Sequence, residues 1–185
     1  MTIKKEFSQI IRGSLQHFSA LQSHEQELIH AALRVRRNAQ APYSHFHVGA
    51  AITCSRGTIH TGCNVERCNY TATSHAEQNA IDNMIAHWGP TKITAIAVVG
   101  GPATTELSIA TSPVIQSITT PEQTVLPCGH CRQIILENCF NDAAVKIHSL
   151  TPHGDIFTTT IGDLFPMAFG PAQLGIDYHQ HAQQV

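Results

Sequence analysis

ITAIAVVG (residues 93–100), followed further on by PCGHCRQIILENCF (127–140) and AAVKIHSL (143–150), is the stretch from which the fold is read. The first run is almost continuously apolar and β-branched, as expected of a strand buried on both faces. The second carries a helical pattern from about Gly129 to Phe140, and the third reads as another, less clean strand. Strand, helix and strand in that order form a crossover unit, so part of the sheet should be parallel.

Working outward, VGAAITC (48–54) and TIHTGC (58–63) flank Ser55, Arg56 and Gly57 and read as a hairpin. Before them, Ser23 followed by Gln26 has a capping-box spacing, and Leu28, Ile29, Ala32 and Leu33 share one helical face. After the hairpin, Ala76, Ala80, Ile81, Met84 and Ile85 predict a helix from about His75 to Trp88, ended by Gly89-Pro90. DIFTTTI (155–161) adds a candidate edge strand. Phe7, Ile10, Ile11, Leu15, Phe18 and Leu21 predict a short amphipathic helix over 4–21, although Gly13 weakens it. The stretch 101–126 is rich in Thr, Ser and Pro, has no clear period, and reads as an insertion.

A chain of 185 residues with 42% hydrophobic residues suits one globular domain. The net charge of -2 leaves no basic excess for a phosphate backbone, which disfavours nucleic acid as a partner and favours a small, uncharged substrate. The N-terminus has no apolar signal core, and no apolar run approaches membrane-spanning length, so the expectation is a cytoplasmic protein that does not engage a membrane. Six unevenly spaced cysteines then read as thiols or metal ligands rather than a disulfide framework.

Two short segments carry the chemistry: Ser74-His75-Ala76-Glu77-Gln78 and Leu126-Pro127-Cys128-Gly129-His130-Cys131-Arg132-Gln133. Taken alone, C-x-x-C also fits a redox pair, half of a structural zinc site or buried thiols, and a lone His before a helix is commonly a cap. Together they change the reading. Cys128 and Cys131 share one face at a helix start, where the dipole favours thiolates, and His75 supplies a third ligand at another helix start. Three protein ligands leave zinc an open position for chemistry, whereas four make a structural site. Glu77 is the candidate proton carrier. Regular helical geometry would separate its side chain from that of His75 by about 200°, so both must sit at an irregular first turn. H-x-E followed by P-C-x-x-C is the signature of zinc nucleobase deaminases.

From about Ser23 to Leu174 the sequence resembles the cytidine deaminase family. Ala41-Pro42-Tyr43-Ser44-His45-Phe46-His47-Val48-Gly49-Ala50-Ala51 is similar to its nucleoside-pocket segment, and Gly62-Cys63-Asn64-Val65-Glu66 to its ribose-binding segment. Leu164-Phe165-Pro166-Met167-Ala168-Phe169-Gly170-Pro171 is similar to its C-terminal segment. The resemblance implies a three-layer α/β/α fold around a mixed sheet of about five strands. Its domain would cover 23–175, between a helical extension (1–22) and a C-terminal tail (176–185). It also implies hydrolytic deamination of cytidine and deoxycytidine with Zn²⁺ as cofactor, in pyrimidine salvage. Phe46 would pack on the pyrimidine, Asn64 and Glu66 would bind the sugar hydroxyl, and Ala76 would join them in substrate binding. Tyr70 and Phe169 would contribute from a neighbouring subunit of a homo-oligomer, a tetramer being favoured and a dimer possible. Read without the family, Asn64 and Glu66 are surface loop residues and Phe169 a core residue.

Tyr70 matches the tetrameric branch of that family, whereas His75 and Gln78 look like the dimeric branch. One imidazole and two thiolates neutralise Zn²⁺, which is consistent with Gln at 78 where the three-cysteine form has Arg. Arg132 is expected to donate to a cysteine sulfur. The long link between Glu77 and Cys128 departs from the family's usual spacing. Two rival readings follow: a deaminase of another cytosine nucleoside, such as a nucleoside antibiotic, and a catalytically silent zinc-stabilised relative.

Overall fold

The computed structural model describes residues 8, 10–111 and 124–177. Among the described residues, six strands form one sheet in the order β1-β6-β5-β4-β2-β3. They are β1 (Gly13–Gln16), β2 (Phe46–Cys54), β3 (Ile59–Cys63), β4 (Ile93–Pro102), β5 (Lys146–Leu150) and β6 (Ile156–Thr160). Of these described strands only β4 and β5 pair in parallel, joined through α3 (Gly129–Asn138), as the crossover pattern predicted. The remaining pairs, among them the β2–β3 hairpin, are antiparallel.

Alternation along the strands divides the core. Ala50, Ile52, Ile96, Val98 and Ile147 face α2 (Ala76–Trp88) and α3, packing on Ala80, Ile81, Met84 and Ile135. Ala51, Ala97, Val99, Leu150 and Ile156 face α1 (Ser23–Arg36), packing on Leu28, Ile29 and Ala32. The result is the three-layer α/β/α arrangement, because both faces of the sheet are apolar and each is covered by helices. A last short helix, α4 (Ile161–Leu164), follows β6 directly.

Several local expectations are corrected. In place of a helix over 4–21, the described part of that segment forms β1 and a 3₁₀ turn at Phe18–Ala20; residues 1–7 and 9 lie outside the described residues. Gly13 weakens a helix there, and pairing with β6 offers the backbone its hydrogen bonds instead. A β-carbon at Gly13 would collide with the Phe157 ring, so glycine also lets the strand approach. β1 makes the sheet six-stranded and places β6 inside it rather than at its edge. α1 is capped one residue earlier than its Ser23 spacing predicts: Gln22 is the cap, and its amide N–H donates to the Glu25 carboxylate at 3.0 Å.

The inserted stretch is divided between both faces. β4 continues through Pro102, then Leu107 and Ile109 pack against the α1-side core, and the Ala110 amide donates to the Gly154 carbonyl at 2.9 Å. At its other end Val125 packs on the α2/α3 side. Residues 112–123 lie outside the described residues, as do 178–185 of the C-terminal tail.

Candidate active site

The starts of α2 and α3 approach each other. His75 is the N-cap of α2, with extended backbone (φ -83°, ψ 155°), and Cys128 is the N-cap of α3 (φ -69°, ψ 172°). An extended cap removes the 200° difficulty, because His75 stands outside the helix in which Glu77 occupies the first turn. The cap is held from below. Ser74 exchanges both backbone hydrogen bonds with Val65 (2.9 and 3.0 Å), and the Asn79 amide donates to the Cys63 carbonyl (2.7 Å) and to Ser74 Oγ (3.1 Å). Asn79 was not singled out from the sequence; a polar residue four positions after the His, on the sheet-facing side of α2, was its available signal.

His75 Nδ1 lies 3.4 Å from Cys128 Sγ and 3.3 Å from Cys131 Sγ, and all three ligand atoms fall within 4.8 Å of one another. Two zinc ligands at Zn–N of about 2.0–2.1 Å and Zn–S of about 2.3 Å, set at the tetrahedral angle, are about 3.5 Å apart. The two N–S distances therefore suit ligands of one tetrahedral zinc, with the two sulfurs also within 4.8 Å of each other. The set matches in chemistry as well: burial, then Glu77 and Cys128, push the Cys131 thiol far above its ordinary range, so a nearby cation is what would hold it as thiolate. Glu77 is buried, and burial raises its carboxyl above the usual range against the lowering effects of its own backbone amide, Cys131 and His75.

These groups open into a cavity of about 250 Å³ lined by His75, Glu77 and Cys128 together with Val48, Asn64, Glu66, Thr73, Ala76, Val125 and Leu126. Four of the sequence-derived candidates, Asn64, Glu66, Ala76 and Glu77, thus share it with two of the three ligands. Asn64 Oδ1 accepts from the Val48 amide (2.8 Å), and its Nδ2 donates to the Phe46 carbonyl (2.9 Å), fastening the end of β3 to the start of β2. Glu66 accepts from the Tyr43 and Ser44 amides at 2.9 and 3.2 Å; hydrogen bonding, first from the Ser44 side chain, lowers its pKa. Phe46 sits on the same strand face as Val48 but is not part of the lining.

Tyr70 and Phe169 are 70% and 59% exposed, and neither lines this cavity. Tyr70 packs its ring beside Tyr43, and the Phe169 carbonyl accepts from Gln133. Arg132 differs from expectation. Its Nε and Nη1 donate to the carbonyls of Pro127 and Leu164, both at 2.7 Å, so it steadies the cysteine turn through backbone rather than through sulfur. Thr73, Val125 and Leu126 were not anticipated as lining, since neither a lone Thr nor apolar side chains in a pocket wall carry a motif, whereas Val48 lies in the segment read as the nucleoside pocket.

Residues 22–147 match the family model described as the cytidine and deoxycytidylate deaminase zinc-binding region. A cytidine deaminase of Sporosarcina psychrophila is 35% identical over 149 residues, covering 80% of this chain and 93% of its own length. One from Halalkalibacterium halodurans is 34% identical over 144 residues, covering 78% and 92%. The crystal structure of cytidine deaminase from Burkholderia pseudomallei is 34% identical, superimposes with a TM-score of 0.61, and covers 80% of this chain and 100% of that one.

Proposed function

Since the chain belongs to the family of cytidine and deoxycytidylate deaminases with a zinc-binding region, we propose that it hydrolyses cytidine and deoxycytidine to uridine and deoxyuridine, with Glu77 as proton carrier. The observation that carries this reading is the approach of His75 Nδ1 to both cysteine sulfurs beside the cavity that the buried Glu77 also lines.

His75, Cys128 and Cys131 would hold the ion. Zinc, when bound there, supplies hydroxide at neutral pH by lowering the pKa of a water from about 15.7 to about 7. Every other step falls to the protein. Glu77 takes the water's proton and delivers it to ring N3, which makes C4 electrophilic; a C4–O bond forms there. The same carboxylate then takes the proton of the new C4 hydroxyl and passes it to the exocyclic amine, so that the C4–N bond breaks as the C4 carbonyl forms, and ammonia leaves. A raised carboxyl pKa suits this work, because Glu77 must both accept and donate near neutrality. Asn64 and Glu66, which line the same cavity, are assigned to sugar recognition.

Phe169, Met167 and Tyr70 project from the chain's own surface. That exposure supports a homo-oligomer, tetramer before dimer, in which Tyr70 and Phe169 complete a neighbour's site. The domain proposed for this work is 23–175, acting in the cytoplasm in pyrimidine salvage. A second reading, a modified cytosine nucleoside as substrate, is favoured by Val125 and Leu126, which bring the end of the inserted stretch into the wall. Ammonia release from cytidine by zinc-loaded protein tests the proposal; no release from cytidine or deoxycytidine contradicts it.

A further inference from the structure

Val125 occupies a seat made by two residues that do not themselves line the cavity. β4 and β5 run parallel with Val98 opposite Ser149, and the next residue of β4 on the α2/α3 side is Gly100, opposite Val48 of β2. Ser149 is fully buried, and its hydroxyl donates to the Val125 carbonyl at 2.7 Å. A β-carbon at Gly100 would stand 3.0 and 3.1 Å from the two Val125 methyls and 3.1 Å from Phe46 Cε1. The missing side chain is therefore the space in which Val125 and Phe46 settle. Neither strand needs glycine here for its dihedrals, since Gly100 lies outside the positive-φ residues.

We propose that Val125 is a specificity-determining wall of the nucleoside cavity, and that Ser149 and Gly100 are the positioning residues that set how far it projects inward. The inference rests on the nucleoside reading and deepens it. Val125 and Leu126 line the cavity beside Val48, three residues before Cys128, so backbone displacement at Val125 is felt at the wall before it reaches the ligands. The hydroxyl of Ser149 fixes the main chain, and the hollow over Gly100 fixes the side chain. Added bulk at Gly100 presses on the Val125 methyls and on Phe46, and Val125, which lines the cavity, carries that displacement into it.

Steady-state kinetics with cytidine on the zinc-loaded full chain test this. Gly100→Ala is expected to raise KM about ten-fold while kcat stays within about two-fold, the signature of lost uniform binding. Adding Val125→Ala to it should bring KM back to within about two-fold of Val125→Ala alone, a coupling that independent sites do not show. Ser149→Ala should raise KM about five-fold and should not be rescued by Val125→Ala. Val125→Ile adds bulk without altering the sheet and should also raise KM, which keeps the test open if Gly100→Ala fails to fold. Independent, multiplying KM effects in the double variant, or equal losses in kcat and kcat/KM with zinc content unchanged, overturn the proposal. Turnover by the unmodified chain separates the two failures: additive effects with normal turnover refute the seat alone, and absent turnover removes the nucleoside reading and the seat together.

Discussion

Cys131 Sγ lies 3.3 Å from His75 Nδ1, although 56 positions of chain separate them. The contact joins the starts of α2 and α3, each fixed by its own packing on one face of the sheet, so the fold itself brings the metal-ligating atoms together.

Cys131→Ala is expected to abolish stoichiometric zinc binding and to lower activity at least about 100-fold, while the core keeps the chain folded. Chelation of the unaltered protein should do the same reversibly. Metal analysis with a zinc add-back assay checks both; full activity in rigorously zinc-free protein would contradict the ligand assignment.

Asn64→Ala removes two hydrogen bonds to the β2 backbone as well as a cavity-lining amide. The expected outcome is a loss of about 1–3 kcal/mol in urea denaturation together with a raised KM. A KM change with unaltered stability would show that the two backbone bonds contribute nothing.

Gly62→Ala places a β-carbon against the Ala76 carbonyl and the Ala80 amide. Backbone atoms of a helix cannot turn aside as a side chain can, so α2 must lift from β3, with a cost of about 2 kcal/mol or more. His75 is carried at the start of that helix, and weaker zinc retention should accompany the loss. Thermal melting and zinc release by a chelator read the two effects.

His148 is fully buried between β6 and α1, and burial lowers its pKa to about 4 from an ordinary 6.5, despite Glu25 at 3.6 Å. Lys146 and His24 add to the lowering. Burial by itself would raise Glu25, but the hydrogen bond from Lys146 and the other neighbours bring it below its ordinary value. Between pH 6.5 and about 4 the unfolded imidazole binds a proton that the folded one refuses, so stability falls as pH drops through that window. His148 alone should remove about 2 kcal/mol between pH 7 and pH 5. Denaturation at the two pH values, beside His148→Asn, checks it; an equal fall in the variant would assign the loss elsewhere.

How much of this was legible in the sequence varied with the length and strength of each pattern. The β4–α3–β5 crossover could be read because Ile93–Gly100 is buried on both faces except at Thr94 and so is almost continuously apolar. His75, Cys128 and Cys131 could be read as a possible zinc set because the metal chemistry restricts residue types. β1 could not: four residues at a sheet edge are decided by the partner strand, and Phe7, Ile10 and Leu15 mimic a helical period. Arg132 was placed beside the right turn but given the wrong acceptor, because carbonyls competing for a guanidinium leave no trace in sequence. Val125 was hidden inside an aperiodic stretch, and its seat exists only once Gly100 and Ser149 are aligned across parallel strands.

The most direct test of the deaminase assignment is the fall in ultraviolet absorbance when purified protein meets cytidine, with Glu77→Ala run alongside at matched zinc content. The account predicts conversion to uridine by the unaltered chain and a loss of at least about 100-fold in the variant. Equal rates in both, or no conversion by the zinc-loaded unaltered chain, would contradict it.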